Sequence, residues 1–306
     1  MALPKPIEHI KNTLEHEGIS LVKAIKPTLL FIVKDFTDMN VLGLAMQMAF
    51  IFLLVLLPVL YFTIYLFQGN AFSAYSTYLI NFLGRILPKV PYNYLLYFLK
   101  NAHFNIIGST PLMAVAFFIG LFTGATNIMS VIDTLYEQPK RYTWTSHLIT
   151  AVKIIIIAGI IVFIMFSSQM FANAFFLGLL KDFQNPLVSS MLVQAITHLI
   201  SLTSEIILFA FVFSTAATVK TRFSDALPGA IFTTLSINIV FRVFVYMSNT
   251  SDKYILLFGP LGALLMLLFS IDLMCLFIIL GIRLNVYIWL VKEGKMMDMI
   301  KSKDLK

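Results

Sequence analysis

The chain has 306 residues, of which 59% are hydrophobic and only 12% charged, with a mean hydropathy of +0.89 and a formal charge of +7. A soluble fold of this length needs a polar surface that the composition does not supply, whereas a bilayer accepts 29 Phe and 15 Met at the lipid face. The composition predicts an all-α polytopic membrane bundle, and the lone Cys275 excludes an intrachain disulfide.

Residues 1–40 read as a cytoplasmic interfacial segment. Ile7, Ile10, Leu14, Leu21, Ile25, Leu29 and Ile32 oppose several Lys and Glu, and Gly18 and Pro27 break the run into short amphipathic helices. The first long apolar run, 41–67, is long enough to remain in the membrane and is not a cleaved leader. Residues 71–105 combine Tyr75, Tyr78, Tyr92, Tyr94 and Tyr97 with Pro88 and Pro91, a composition suited to lipid headgroups. They predict an outer-face interfacial hairpin, with a re-entrant seventh segment as the alternative.

Five further runs follow at 108–134, 150–178, 187–219, 226–248 and 257–291, each long enough for a hydrocarbon layer of roughly 30 Å. Residues 41–291 thus form a single domain of six transmembrane helices, followed by a basic cytoplasmic tail at 292–306. The breaks at 181–186 and 220–225 carry turn chemistry. At the second, Ser224 or Asp225 is placed to cap the fifth helix, with Pro228 in its first turn.

Orientation follows from the basic residues of the connections. With the N-terminus inside, the inner segments hold Lys5, Lys11, Lys23, Lys26, Lys34, Lys140, Arg141, Lys153, Lys220, Arg222, Lys292, Lys295, Lys301, Lys303 and Lys306. The outer ones hold only Arg85, Lys89, Lys100, Lys181 and Lys253. This imbalance predicts both termini in the cytoplasm and makes the positive charge a topology signal, not a sign of nucleic-acid binding.

Polar residues within the spans are the candidates for function. Gln194, Thr197, His198, Ser201, Ser204 and Glu205 recur at three- and four-residue spacing on the fourth helix, as do Thr234, Asn238 and Arg242 on the fifth. Ser167, Ser168, Gln169 and Asn173 cluster toward the outer end of the third. The plain reading is hydrogen bonding between helices, which averages about 0.6 kcal/mol in membranes. The sharper one is a hydrated cavity whose substrate path runs past Gln194, His198, Ser201, Glu205, Asn238, Arg242, Asp272 and Arg283. Asp272 and Arg283 lie three turns apart, roughly 16 Å, so each needs a partner on another helix. The economical choices are Arg242 for Asp272, and Glu205 for one of the arginines.

No catalytic or metal constellation emerges. The chain lacks HExxH, a Gly-rich phosphate loop and a Cys pair, and His198 stands too far from Glu205 for the usual two-ligand spacing. No water-facing carboxylate cluster exists to hold catalytic Mg²⁺, and Asp133 and Glu137 beside Lys140 and Arg141 read as a solvated rim. The expectation is a non-enzyme without a cofactor or metal.

The run Asp225-Ala226-Leu227-Pro228-Gly229-Ala230, then Tyr246 and Ser248-Asn249, Gly259, Leu261-Gly262-Ala263, and Leu280-Gly281-Ile282-Arg283-Leu284-Asn285 resembles the C-terminal signature of the YihY/BrkB family. Ala49-Phe50 with Pro58, and Ile132 to Tyr136 with Arg141, agree with its earlier blocks. The resemblance implies a six-span bacterial inner-membrane protein with cytoplasmic termini, for which the older label ribonuclease BN is a misassignment. It also implies export of lipid or lipid-linked precursors. The chain departs from the family pattern at Asp133, Ser270, Asp272 and Arg283.

Together these readings predict a flippase-like transporter of an anionic lipid or amphiphile. The alternative is a non-transporting scaffold that organises envelope-biogenesis proteins, and neither reading involves nucleic acid.

Overall fold

Each of the six apolar runs becomes one long helix in the computed structural model, which describes residues 38–67, 110–136, 143–179, 186–219, 221–250 and 252–292 with isolated positions between the first two helices. The helices are α1 (Met39–Phe67), α2 (Thr110–Leu135), α3 (Trp144–Leu179), α4 (Pro186–Ala216), α5 (Phe223–Thr250) and α6 (Asp252–Lys292). All six are long and apolar enough to cross a membrane. The amphipathic segment at 1–40, apart from its last three residues, nearly all of the hairpin region at 71–105, and the tail beyond Lys292 lie outside the described residues.

Helix ends follow the expected spans to within three residues, except that α3 and α6 begin six and five residues early. α3 begins at Trp144, six residues ahead of the apolar run, because a helix tolerates polar residues in an end that leaves the hydrocarbon. α5 begins at Phe223, where the Asp225 amide bonds the Arg222 carbonyl at 2.9 Å and extends the helix upstream of the expected cap. Pro228 therefore falls beyond the first turn, and the Ser224 carbonyl loses the amide partner that a residue other than proline would supply.

Neighbours in sequence are neighbours in space. The helices pack α1 on α2, α2 on α3, α3 on α4, α4 on α5 and α5 on α6, and α6 closes back onto α1. α6 also touches α2 and is the most enclosed, with 67% of its Leu268–Leu290 span buried against 33% or less in the others. A helix so surrounded needs an apolar face all round, and its sequence provides one except at Ser270, Asp272, Arg283 and Asn285.

The tightest contact is the α5–α6 crossing. A Cβ on Gly281 would lie 2.7 Å from the Gly229 carbonyl oxygen and collide with Thr233, and one on Gly229 would lie 2.5 Å from Asn285 Nδ2. Only glycine at both positions lets the two backbones come this close. Asn285 then bridges the helices: it accepts from the Gly229 amide at 2.8 Å and donates to the Ala226 carbonyl at 3.1 Å. The Phe232 and Phe277 rings meet at a 58° tilt beside this contact, and the Thr233 hydroxyl reaches the Phe277 carbonyl at 3.4 Å.

Burial is concentrated at one end of the bundle. Val41, Ala45 and Met48 of α1, Met129 and Ile132 of α2, Ala151 and Ile154 of α3, Phe213 and Ala216 of α4, Ala226 and Ala230 of α5, and Cys275 to Ile288 of α6 form one apolar core there. Toward the opposite end, Leu112, Phe118, Ile164, Met191, Val243, Leu265 and Phe269 are exposed. The core therefore seals one half of the bundle and leaves the described part of the other half open.

Gly281→Ala is expected to abolish the monodisperse peak in detergent, because the added Cβ enters the backbone contact, while Gly43→Ala, whose Cβ meets nothing within 4 Å, retains it. Equal behaviour of the two variants in size-exclusion chromatography would contradict this account of the crossing.

Candidate functional site

The polar stripes of α4 and α5 meet across the seam between these helices. Asn238 Nδ2 donates to Glu205 Oε2 at 2.8 Å and to the Thr234 carbonyl at 2.9 Å. Ser201 donates to Glu205 Oε1 at 3.4 Å. Further toward the open end, Arg242 Nη2 lies 3.0 Å from His198 Nε2. A guanidinium only donates, so His198 Nε2 must accept, and the ring proton of this neutral tautomer sits on Nδ1. Thr197, Thr203 and Ser204 instead bond carbonyls one turn back on their own helix and take no part in the seam.

Helix geometry determines which way this stripe faces. Ala216 and His198 are 18 residues apart, five full turns, so they lie on the same line of α4. Ala216 is fully buried in the core, whereas His198 is exposed, as is Gln194 one turn away. The core-facing line of α4 therefore emerges into open space beyond Glu205. Glu205 and Asn238, both half-buried, stand at the border between the sealed and open halves.

The two charges of α6 do not join this group. Gly281 marks the side of α6 that touches α5, and Asp272 is nine residues away, or two and a half turns, which places it on the opposite side. Arg283, three turns from Asp272, shares that far face. The antiparallel register that sets Gly281 against Gly229 and Phe277 against Thr233 brings Asp272 level with Asn238 but on the other flank of α6. Neither expected ion pair forms: Arg242 is engaged by His198, Glu205 by Asn238 and Ser201, and Asp272 Oδ1 is buried without a hydrogen-bond partner. A shared helical face gave the side on which each charge lies, but not the neighbour opposite it.

Asp133 is the largest departure from the sequence reading. It is not on a solvated rim but is 5% exposed in the last turn of α2. Its Oδ1 accepts from the Thr218 amide at 3.1 Å and from the Thr218 hydroxyl at 2.5 Å, tying α2 to the α4–α5 connection. A carboxylate at a helix C-terminus opposes the helix dipole and needs donors from elsewhere, which was the available signal. Nearby Tyr136 meets Trp289 edge-on with centroids 5.7 Å apart, and burial, followed by the Asp225 charge, raises its phenol pKa. Asn127, also buried, was likewise overlooked.

Gly229, Gly281 and Asn285 make the α5–α6 crossing, while Pro58 and Pro228 lie inside α1 and α5. Gly259 and Gly262 lie within α6, and Arg141 lies outside the described residues. Among the described residues no cluster of three His, Cys, Asp or Glu could hold a metal.

Residues 32–298 match the family described as Virulence factor BrkB. The chain belongs to the BrkB family. This agrees with the resemblance carried by the α5–α6 signature, and with six membrane-spanning helices it makes the protein an integral, multi-pass membrane protein. No curated protein and no solved structure matches the chain. Within this BrkB protein, the α4–α5 seam is, among the described residues, a group of polar side chains from two helices that lies outside the core.

Asp133→Ala is expected to lower the melting temperature more than Asp133→Asn, since Ala removes the buried acceptor that both Thr218 donors use, whereas Asn keeps Oδ1. Glu205→Ala should cost less, about 0.6 kcal/mol, as for an average hydrogen bond within a membrane. Thermal unfolding in detergent ranks the three, and an Asp133→Ala variant as stable as wild type would refute the burial argument.

Proposed function

We propose that this BrkB protein is a flippase-like transporter that moves an anionic lipid or lipid-linked precursor, its head group following the α4–α5 seam while the acyl chains stay in the bilayer. The observation that carries the reading is the exposure of His198 on a line of α4 that is core-facing further along the helix, with Arg242 exposed beside it. Arg242 sits within the Phe223–Met247 span, where an exposed guanidinium needs water or an anion beside it. Its donors beyond the one given to His198 are suited to a phosphate. Glu205 and Asn238, held by their mutual hydrogen bond, mark the depth at which the open space ends.

The charge imbalance between connections supports an orientation with both termini in the cytoplasm, and the family resemblance supports a bacterial inner membrane as its setting. Under that orientation the sealed end is cytoplasmic and the seam opens outward. No phosphate-binding loop is present in the sequence to use ATP, so movement is either facilitated or driven by an ion gradient or a partner.

Purified protein in liposomes containing fluorescent phosphatidylglycerol or phosphatidylethanolamine provides the test. Wild type should move the anionic lipid, and Arg242→Ala should lower that rate several-fold while changing the zwitterionic rate less. Background rates for both lipids with folded wild-type protein would remove the transporter reading and leave a scaffold.

A further inference from the structure

α6 carries a carboxylic acid that no described residue satisfies. Asp272 lies midway along Asp252–Lys292, and its Oδ1 is buried without a hydrogen-bond partner. It stands where the far face of α6 passes from exposed Leu265, Leu268 and Phe269 to buried Cys275, Leu276 and Ile279. One side of the group therefore leads toward the open half, and the other is closed by the core.

Among the described residues, no charge from the neighbouring helices faces Asp272. α1 carries no Asp, Glu, Lys, Arg or His, and its titratable residues are Tyr61 and Tyr65. α2 carries only Asp133, at the sealed end and bound to Thr218. The Asp225, Arg242 and Tyr246 of α5 belong to the helix on the opposite side of α6. On α6 itself, Cys275 is one turn away and Arg283 three turns, roughly 16 Å along the axis.

An ionised carboxylate without a counter-charge or hydrogen-bond donor is costly in hydrocarbon, and the neutral acid avoids most of that cost. A metal cation needs several oxygens around it, and no cluster of three His, Cys, Asp or Glu exists among the described residues. We infer that Asp272 is a proton-binding site, exchanging one proton with the open half of the bundle at the depth where the α4–α5 seam ends. Joined to the transport reading, on which this role rests, it supplies a coupling ion: the proton enters and leaves α6 level with Asn238 while the head group occupies the seam.

The test needs no transport. Full-length protein in proteoliposomes is treated with dicyclohexylcarbodiimide, which reacts with a protonated carboxyl in apolar surroundings. The acid O–H adds across the carbodiimide, and the adduct rearranges to a stable N-acylurea that is located by mass spectrometry. The expected result is an adduct on Asp272 that falls through a single midpoint as pH rises, with no adduct at that position in Asp272→Asn. Glu205, hydrogen-bonded by Asn238 and Ser201, should label less at every pH.

An unlabelled Asp272 throughout the pH series, or labelling that does not change with pH, would overturn the site. Infrared difference spectra between acid and alkaline pH give a second reading that needs no reagent: a carboxylic-acid carbonyl band that disappears in Asp272→Asn supports the site, and its persistence in the variant contradicts it. Lipid movement without a titrating Asp272 would sink this inference alone, while a titrating Asp272 without lipid movement would sink the transport reading alone.

Discussion

The α5–α6 crossing is the constraint on which the rest of the arrangement depends. In a bilayer, helices gain little from apolar contact as such, so close packing and a few satisfied hydrogen bonds must supply specificity. Here the packing is glycine against glycine, and the hydrogen bonds come from one buried Asn285 that reads the backbone of the opposite helix at two points. Fixing α5 against α6 also fixes which line of α5 is left for α4. That line carries Thr234, Asn238 and Arg242, and the polar seam follows from it.

A second consequence is the division of the bundle into a sealed and an open half. α6 is enclosed from Cys275 to Ile288, and every neighbouring helix contributes its most buried residues at the same end. Asp133 and Thr218 reinforce this end with charge-assisted hydrogen bonds, and Tyr136 and Trp289 with an edge-on ring contact. Polar groups of two kinds then stand at the border between halves. On the α4–α5 side Glu205 is satisfied by neighbours, and on the far flank of α6 Asp272 is not. The difference separates a group whose geometry is fixed by hydrogen bonds from one whose protonation state has to absorb the cost of burial.

The spans were legible because a bilayer demands some 20 apolar residues in a row, a signal that hardly any other structure imitates. The signature around Gly229, Gly281 and Asn285 was legible as a family mark, but its physical role was not, since a sequence does not say which glycines face each other. The stripe from Gln194 to Glu205 was readable from helical periodicity alone. Its partners were not: Arg242 chose His198 over Asp272 because Asp272 lies on the other side of α6, a fact that depends on the azimuth of the α5 contact. Asp133 was misread for a related reason, as its proximity to Lys140 and Arg141 in sequence suggested solvent when the end of α2 is covered by the α4–α5 connection.

The central claim is that the line of α4 facing the core is closed at one end and open at the other. It is tested most directly by single cysteines at 191, 194, 198, 213 and 216, probed in proteoliposomes with a membrane-impermeant maleimide from the outer side. The single native Cys275 is buried and provides a silent background. The account predicts labelling at 191, 194 and 198 and none at 213 or 216. Labelling at 216, or protection at 198 equal to that at 216, would contradict it.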